Sequence, residues 1–155
     1  MPLIQEKDRE YLQKLFADEL KGDVRMILFT RLNENAGADG EPADDCPYCQ
    51  AAADLSKEME GLSDKLKVEV HDLNKDGTEA TKYGVDKVPT FVIVDPKGDD
   101  HGVRFFGLPA GMEFSVLIAD LMDMSKEQTR LAQPTKDSLK EIDKDVNIEV
   151  FVTPT

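Results

Sequence analysis

The chain of 155 residues has few basic side chains for its acidic load: 19 Lys and Arg stand against 32 Asp and Glu, for a formal net charge of −13. A surface of that sign repels phosphate backbones and anionic lipid headgroups, which argues against nucleic acid or a membrane surface as a partner. No apolar run reaches membrane-spanning length. The start, MPLIQEKDRE, has no basic region followed by an apolar core and a small-residue cleavage site. These absences set the expectation of a cytoplasmic protein. Cysteine is scarce too, with Cys46 and Cys49 the only two. A chain of this length buries enough apolar surface without staples, and in a reducing compartment a close cysteine pair points to redox chemistry or metal binding. As a crosslink, so short a loop would restrict the unfolded chain little. A second CxxC and a spaced His pair are both missing, so a four-ligand structural zinc site is incomplete within one chain. A site shared across a dimer stays open.

What is present reads as alternating strands and helices. Residues 8–20 place Leu12, Leu15, Phe16 and Leu20 on one helical stripe that Asp8 could cap. VRMILFT at 24–30 is almost wholly apolar, as a strand buried on both faces is. Residues 33–45 are polar and rich in breakers, forming a long loop that delivers the chain to CPYC. Beyond Pro47, the spacing of Ala52, Leu55, Met59 and Leu62 predicts a helix with Cys46 at its N-terminal edge. LKVEVHD at 66–72 alternates as a half-buried strand does. A short helix over 78–83 capped by Thr78, a buried strand in VPTFVIV at 88–94, a turn at 95–98 and a returning strand at 103–106 follow. Phe114, Leu117, Ile118, Leu121 and Met122 mark a closing amphipathic helix. The sum is an α/β domain of thioredoxin-like type: a central mixed sheet with helices on both faces and an extra N-terminal helix. Residues 145–153, DVNIEVFVT, echo residues 23–30, DVRMILFT, and read either as a repeat or as a terminal edge strand.

The cysteine spacing suits thiol–disulfide exchange. That reaction needs an attacking thiolate and a second thiol close enough to resolve the mixed disulfide, at a site open to the substrate. A helix start favours a thiolate through its unpaired N–H groups and its dipole, and three residues bring the second sulfur within bonding reach. Cys46 is therefore assigned as nucleophile and Cys49 as resolving thiol. A helix N-terminus stabilises a nearby anion by roughly 0.3–1 kcal/mol. Asp44 and Asp45 oppose it, since a like charge about 6 Å away in water costs on the order of 0.7 kcal/mol.

Other features carry less. DLNKDG at 72–77 opens like a calcium loop, but its twelfth position is Tyr83 where a bidentate Glu is needed, so a β-to-α turn is the better reading. His71 and His101 are expected to face solvent rather than to act.

CPYC at 46–49 is similar to the active-site motif of glutaredoxins. With VPT at 88–90 and FFGLPAGMEF at 105–114, the chain resembles the protein disulfide oxidoreductases, glutaredoxin-like proteins of thermophilic archaea and bacteria built from two thioredoxin-fold units. The resemblance spans nearly the whole chain and implies several things. Pro89 would be cis and would face the cysteines, with Pro47 and Tyr48 shaping the pair. The Val88 backbone would pair with an extended substrate, with Thr90 and Gly107 beside it. Residues 1–143 would form the N-terminal unit, and residues 144–155 the first strand of a second one that is not complete here. That strand's open edge would favour a homodimer. Phe29 stands roughly where thioredoxins bury an acid that assists the second cysteine, and no clear match to the glutathione-gripping acidic motif of glutaredoxins is present.

The expected function is dithiol–disulfide oxidoreduction of protein substrates in cell redox homeostasis. It needs no bound cofactor or metal and is compatible with a thioredoxin-reductase-like electron donor. The alternative is a non-catalytic module that binds extended peptide segments through the same groove. Because Asp44 and Asp45 oppose thiolate formation, replacing both with Asn is expected to lower the Cys46 pKa, as read by thiolate absorbance across a pH series.

Overall fold

The computed structural model describes residues 2–31 and 46–151; the loop expected at 33–45, with Asp44 and Asp45, lies outside the described residues. In chain order the elements are α1 (Glu6–Glu19), β1 (Val24–Thr30), α2 (Cys49–Glu60), β2 (Leu66–Asp72), α3 (Gly77–Lys82), β3 (Thr90–Val94), β4 (Asp100–Phe106), α4 (Met112–Ser125) and α5 (Gln133–Leu139). The four strands form one mixed sheet of order β2-β1-β3-β4. β1 runs parallel to β2 and antiparallel to β3, and β3 runs antiparallel to β4.

The near-continuous apolar run of β1 is explained by this placement. Alternate side chains point to opposite faces. Val24, Met26 and Leu28 join Phe91 and Ile93 of β3 in a core with α1, α2 and α4, where Phe16, Met59, Leu117 and Leu121 are buried. Ile27 and Phe29 join Val92 and Val94 on the other face, covered by Ala80 of α3 with Tyr83 and Val85. Both faces are thus covered, as the thioredoxin-like reading requires.

Several local expectations are corrected. α1 starts two residues before Asp8, which lies in its first turn and makes no cap bond; Gln5 is the N-cap. The segment leading into it is tied down by Glu58 of α2, whose two carboxylate oxygens each accept a main-chain N–H, from Leu3 and Ile4, at 2.8 Å. α3 begins at Gly77, ahead of the cap expected at Thr78. Asp76 instead accepts the Asp72 N–H at 3.0 Å, and Asp72 accepts that of Asn74 at 3.0 Å, so the DLNKDG stretch is a β-to-α turn held by its own carboxylates. His71 does not stand free in solvent: its ring stacks on Phe29 with centroids 5.3 Å apart and lies 3.5 Å from the Asp76 carboxylate. β3 opens at Thr90 because the chain bends at Val88–Pro89, and β4 extends back to Asp100.

Residues 145–151 form no strand. Ile148, Val150 and Phe151 are 80, 79 and 89% exposed. Alternating apolar side chains make a strand only where another strand supplies the ladder, and none lies beside this segment among the described residues.

Two polar hubs lock the framework. The buried Ser125 hydroxyl accepts the Lys21 and Gly22 N–H groups at 2.8 and 3.0 Å and donates to the Gly22 carbonyl at 2.7 Å, joining the end of α4 to the start of β1. Asp95 organises the β3–β4 turn, accepting Lys97 and Asp99 N–H groups at 2.9 Å and meeting His101 Nε2 at 2.8 Å. The His101 bond, then the two main-chain donors, hold its carboxyl below the usual carboxylate range. Ser125→Ala is expected to destabilise the fold by about 1–3 kcal/mol in denaturant unfolding, because buried main-chain groups lose their partner. A carboxyl with a depressed folded-state pKa stabilises the fold above its unfolded pKa near ~3.9 and loses that contribution as the pH falls through its folded value. Asp95→Asn should therefore lower stability at neutral pH and flatten the acid limb of a stability–pH curve.

Candidate active site

The site is assembled where the last residues of β1 meet the start of α2. Cys46 and Cys49 form a disulfide with S–S 2.02 Å and Cα atoms 5.5 Å apart. Residues 46–48 make a tight turn in which the Cys49 N–H donates to the Cys46 carbonyl at 3.2 Å, and Cys49 is the first residue of α2. The sulfur pair thus sits at the N-terminal end of a helix, with Cys46 in the turn before it, as its spacing predicts. Burial is greater than expected for a site open to a protein disulfide: Cys46 is 2% and Cys49 0% exposed. The turn folds both cysteines inward against β1 while Pro47 and Tyr48 project outward, Tyr48 with 58% of its surface exposed.

Two residues that sequence reasoning passed over hold Cys49 in place. The Thr30 hydroxyl donates to the Cys49 carbonyl at 3.2 Å, and the Arg31 N–H donates to Cys49 Sγ at 3.2 Å. Thr30 is fully buried. A hydroxyl ending an almost wholly apolar strand, just ahead of the loop that leads to CPYC, was the available signal, since a buried polar group must find a partner.

The sheet brings the proline turn to this same end. Phe29 is registered with Thr90, and Thr90 with Phe106. Pro89 therefore lies one residue beyond the ladder, level with Thr30, and is buried. The Val88–Pro89 peptide bond is cis, as the resemblance implies. Among the described residues no hydrogen bond engages the Val88 backbone, which leaves its N–H and carbonyl available for a strand-like partner. Thr90 and Gly107 are placed differently. Thr90 is fully buried and its hydroxyl donates to the Lys87 carbonyl at 2.6 Å, while the Gly107 N–H donates to the Pro89 carbonyl at 2.8 Å. Both groups brace the proline turn. At Gly107, φ is +88° and a Cβ would meet nothing within 4 Å, so glycine serves the backbone conformation there.

Phe29 is fully buried between the rings of His71 and Tyr83, so no carboxylate occupies that place. Among the described residues no group of three or more His, Cys, Asp or Glu is arranged to hold a metal ion. No helix among them is long and apolar enough to cross a membrane.

A mixed sheet with a CxxC disulfide at the β1–α2 junction and a cis-proline opposite defines a thioredoxin-fold redox unit. Known proteins agree. A solved protein disulfide oxidoreductase from Aeropyrum pernix superposes with a TM-score of 0.71 at 25% identity, covering 89% of this chain and 55% of its own. AhpF, a component of the alkyl hydroperoxide reductase of Enterococcus faecalis, shares the fold with a TM-score of 0.69 at 22% identity, over 87% of this chain and 59% of its own. By sequence, the chain is 30% identical over 101 residues to the NADH dehydrogenase of Bacillus subtilis. It is 27% identical over 108 residues to the same alkyl hydroperoxide reductase component from Xanthomonas campestris pv. phaseoli. It spans only 17 and 18% of the length of those two relatives. No protein-family model matches the chain. The resemblance to the protein disulfide oxidoreductases is thus borne out at the level of fold, and the Cys46–Cys49 disulfide within that fold supports dithiol–disulfide redox chemistry.

Proposed function

We propose that the chain is a dithiol–disulfide oxidoreductase acting on protein disulfides. The observation that carries this reading is the Cys46–Cys49 bond itself, closed across one helical turn beside a cis-proline whose preceding residue has a free backbone edge. In the reducing direction the Cys46 thiolate attacks one sulfur of a substrate disulfide and releases the other as a thiolate. Cys49 then attacks Cys46 Sγ, the mixed disulfide breaks, and the second substrate sulfur leaves with the electron pair and takes up a proton. Two electrons have passed to the substrate, and the unit is left oxidised, as it stands in this structure. Run backwards, the same steps oxidise a dithiol.

Cys46 takes the attacking role because the Cys49 sulfur is tied inward by Arg31, whereas Cys46 lies in the turn flanked by exposed Pro47 and Tyr48. Pro89 sets the wall of the site, with Thr90 and Gly107 shaping its turn, and the Val88 backbone receives the substrate chain. Recharging would come from a thioredoxin-reductase-like donor. We read residues 1–143 as one unit acting in the cytoplasm. Residues 144–155, which form no strand among the described residues, are read as becoming the first strand of a further unit once a partner strand is present; otherwise the exposed Ile148, Val150 and Phe151 would pair two copies of the chain.

Insulin reduction with dithiothreitol as donor tests the proposal. Cys46→Ser is expected to abolish catalysis, and Cys49→Ser to leave a Cys46 that traps substrate as a stable mixed disulfide, visible on a non-reducing gel. Unchanged turnover in both variants would remove the enzymatic reading.

A further inference from the structure

The Cys49 sulfur is fully buried, and in the resolving step it has to react as a thiolate. Desolvation alone would push a thiol in that position up. Phe29, which stands roughly where thioredoxins bury an acid that assists this step, is packed between two rings. Among the described residues, charged side chains on the neighbouring elements have partners of their own. On α2, Asp54 accepts from Gln50 at 3.0 Å; on β2, His71 lies against Glu69 and Asp76; ahead of Pro89, Asp86 and Lys87 face each other at 4.0 Å. What does reach the sulfur is a main-chain donor, the Arg31 N–H at 3.2 Å. The helix start adds to it, because Cys49 is the first residue of α2 and stands at the positive end of the helix dipole.

We propose that the Arg31 main-chain amide is the catalytic group that holds Cys49 as a thiolate during resolution, in place of a proton-accepting carboxylate. This rests on the redox reading above and deepens it. The Arg31 N–H faces the one sulfur that must carry negative charge before the mixed disulfide is cleaved. A hydrogen bond to the ionised form favours it over the thiol, which takes no comparable benefit from a donor. Cys49 Sγ then bonds to Cys46 Sγ, the bond from Cys46 to the substrate sulfur breaks, and the proton that Cys49 gave up is balanced by the one the leaving thiolate takes up. The Thr30 hydroxyl on the Cys49 carbonyl keeps the sulfur aimed at the donor.

The test uses the full chain carrying Cys46→Ser, so that Cys49 is the single thiol. Its ionisation is followed by thiolate absorbance and by the Arg31 amide resonance in a nitrogen-15 NMR titration. The Arg31 amide proton is expected to shift with the same midpoint as the thiolate. Replacing the residue-31 amide with an ester by semisynthesis, or with Arg31→Pro, should raise the Cys49 pKa by about one unit or more. Arg31→Ala keeps the N–H and should hold that pKa within about half a unit, which separates the amide from the guanidinium. With both cysteines present, the ester variant should release substrate from Cys46 about tenfold more slowly while its first attack keeps its rate. The ester readout stands even if the proline variant fails to fold. An Arg31 amide that does not follow the Cys49 titration, or an Arg31→Ala shift as large as the ester's, overturns the proposal. If insulin is not reduced while the amide still titrates with Cys49, the redox reading fails and the catalytic role of the amide falls with it; if insulin is reduced while the amide does not titrate with Cys49, this proposal alone is overturned.

Discussion

The two-sided burial of β1 is the constraint on which the rest of this molecule depends. β1 lies second in the sheet, parallel to β2 on one side and antiparallel to β3 on the other, so all its interior hydrogen bonds are satisfied by neighbours. Its side chains feed both cores, and a slip of one residue would exchange Met26 and Leu28 for Ile27 and Phe29 on opposite faces. Register here is therefore strongly specified. With register specified, the point at which the strand ends is specified too, and Thr30 and Arg31 arrive beside Cys49 as a consequence.

The site inherits its order from that strand. One end of the sheet gathers the Thr30 hydroxyl, the Arg31 amide, the start of α2 and the Pro89 turn, each placed by a different element and joined through the register of β1, β3 and β4. Bracing is mostly by main-chain groups. The Gly107 N–H on the Pro89 carbonyl and the Thr90 hydroxyl on the Lys87 carbonyl hold the proline turn without any charged side chain. At the cysteine pair, too, the bracing groups among the described residues are a hydroxyl and a main-chain amide, from Thr30 and Arg31.

Much of this was legible in the residues themselves. The apolar run of β1, the alternation in β2 and the stripe of α4 led to elements close to those observed, since burial periodicity follows directly from side-chain direction in helices and strands. CPYC at a helix start was legible for the same reason: its spacing and its breaker-rich approach are local. Helix starts were less so. Asp8 and Thr78 both have good capping chemistry, yet Glu58, 54 residues away from Ile4, and Asp76 determined where the chain turned into each helix. His71 reads as a polar position in an alternating strand, and only the packing of Phe29 beneath it turns it into a stacked ring.

The sequence by itself determined the class of fold and the identity of the reactive pair, because hydrophobic period, turn residues and a three-residue cysteine spacing act over a few positions. It also determined the charge of the surface. Only the tertiary structure decided that the pair is buried, that Thr30 and Arg31 grip Cys49, that Thr90 and Gly107 give their polar groups to the proline turn, and that residues 145–151 find no strand to pair with among the described residues. Each of those outcomes depends on which groups distant in the chain come within hydrogen-bond reach, a matter of register and packing to which local pattern is blind.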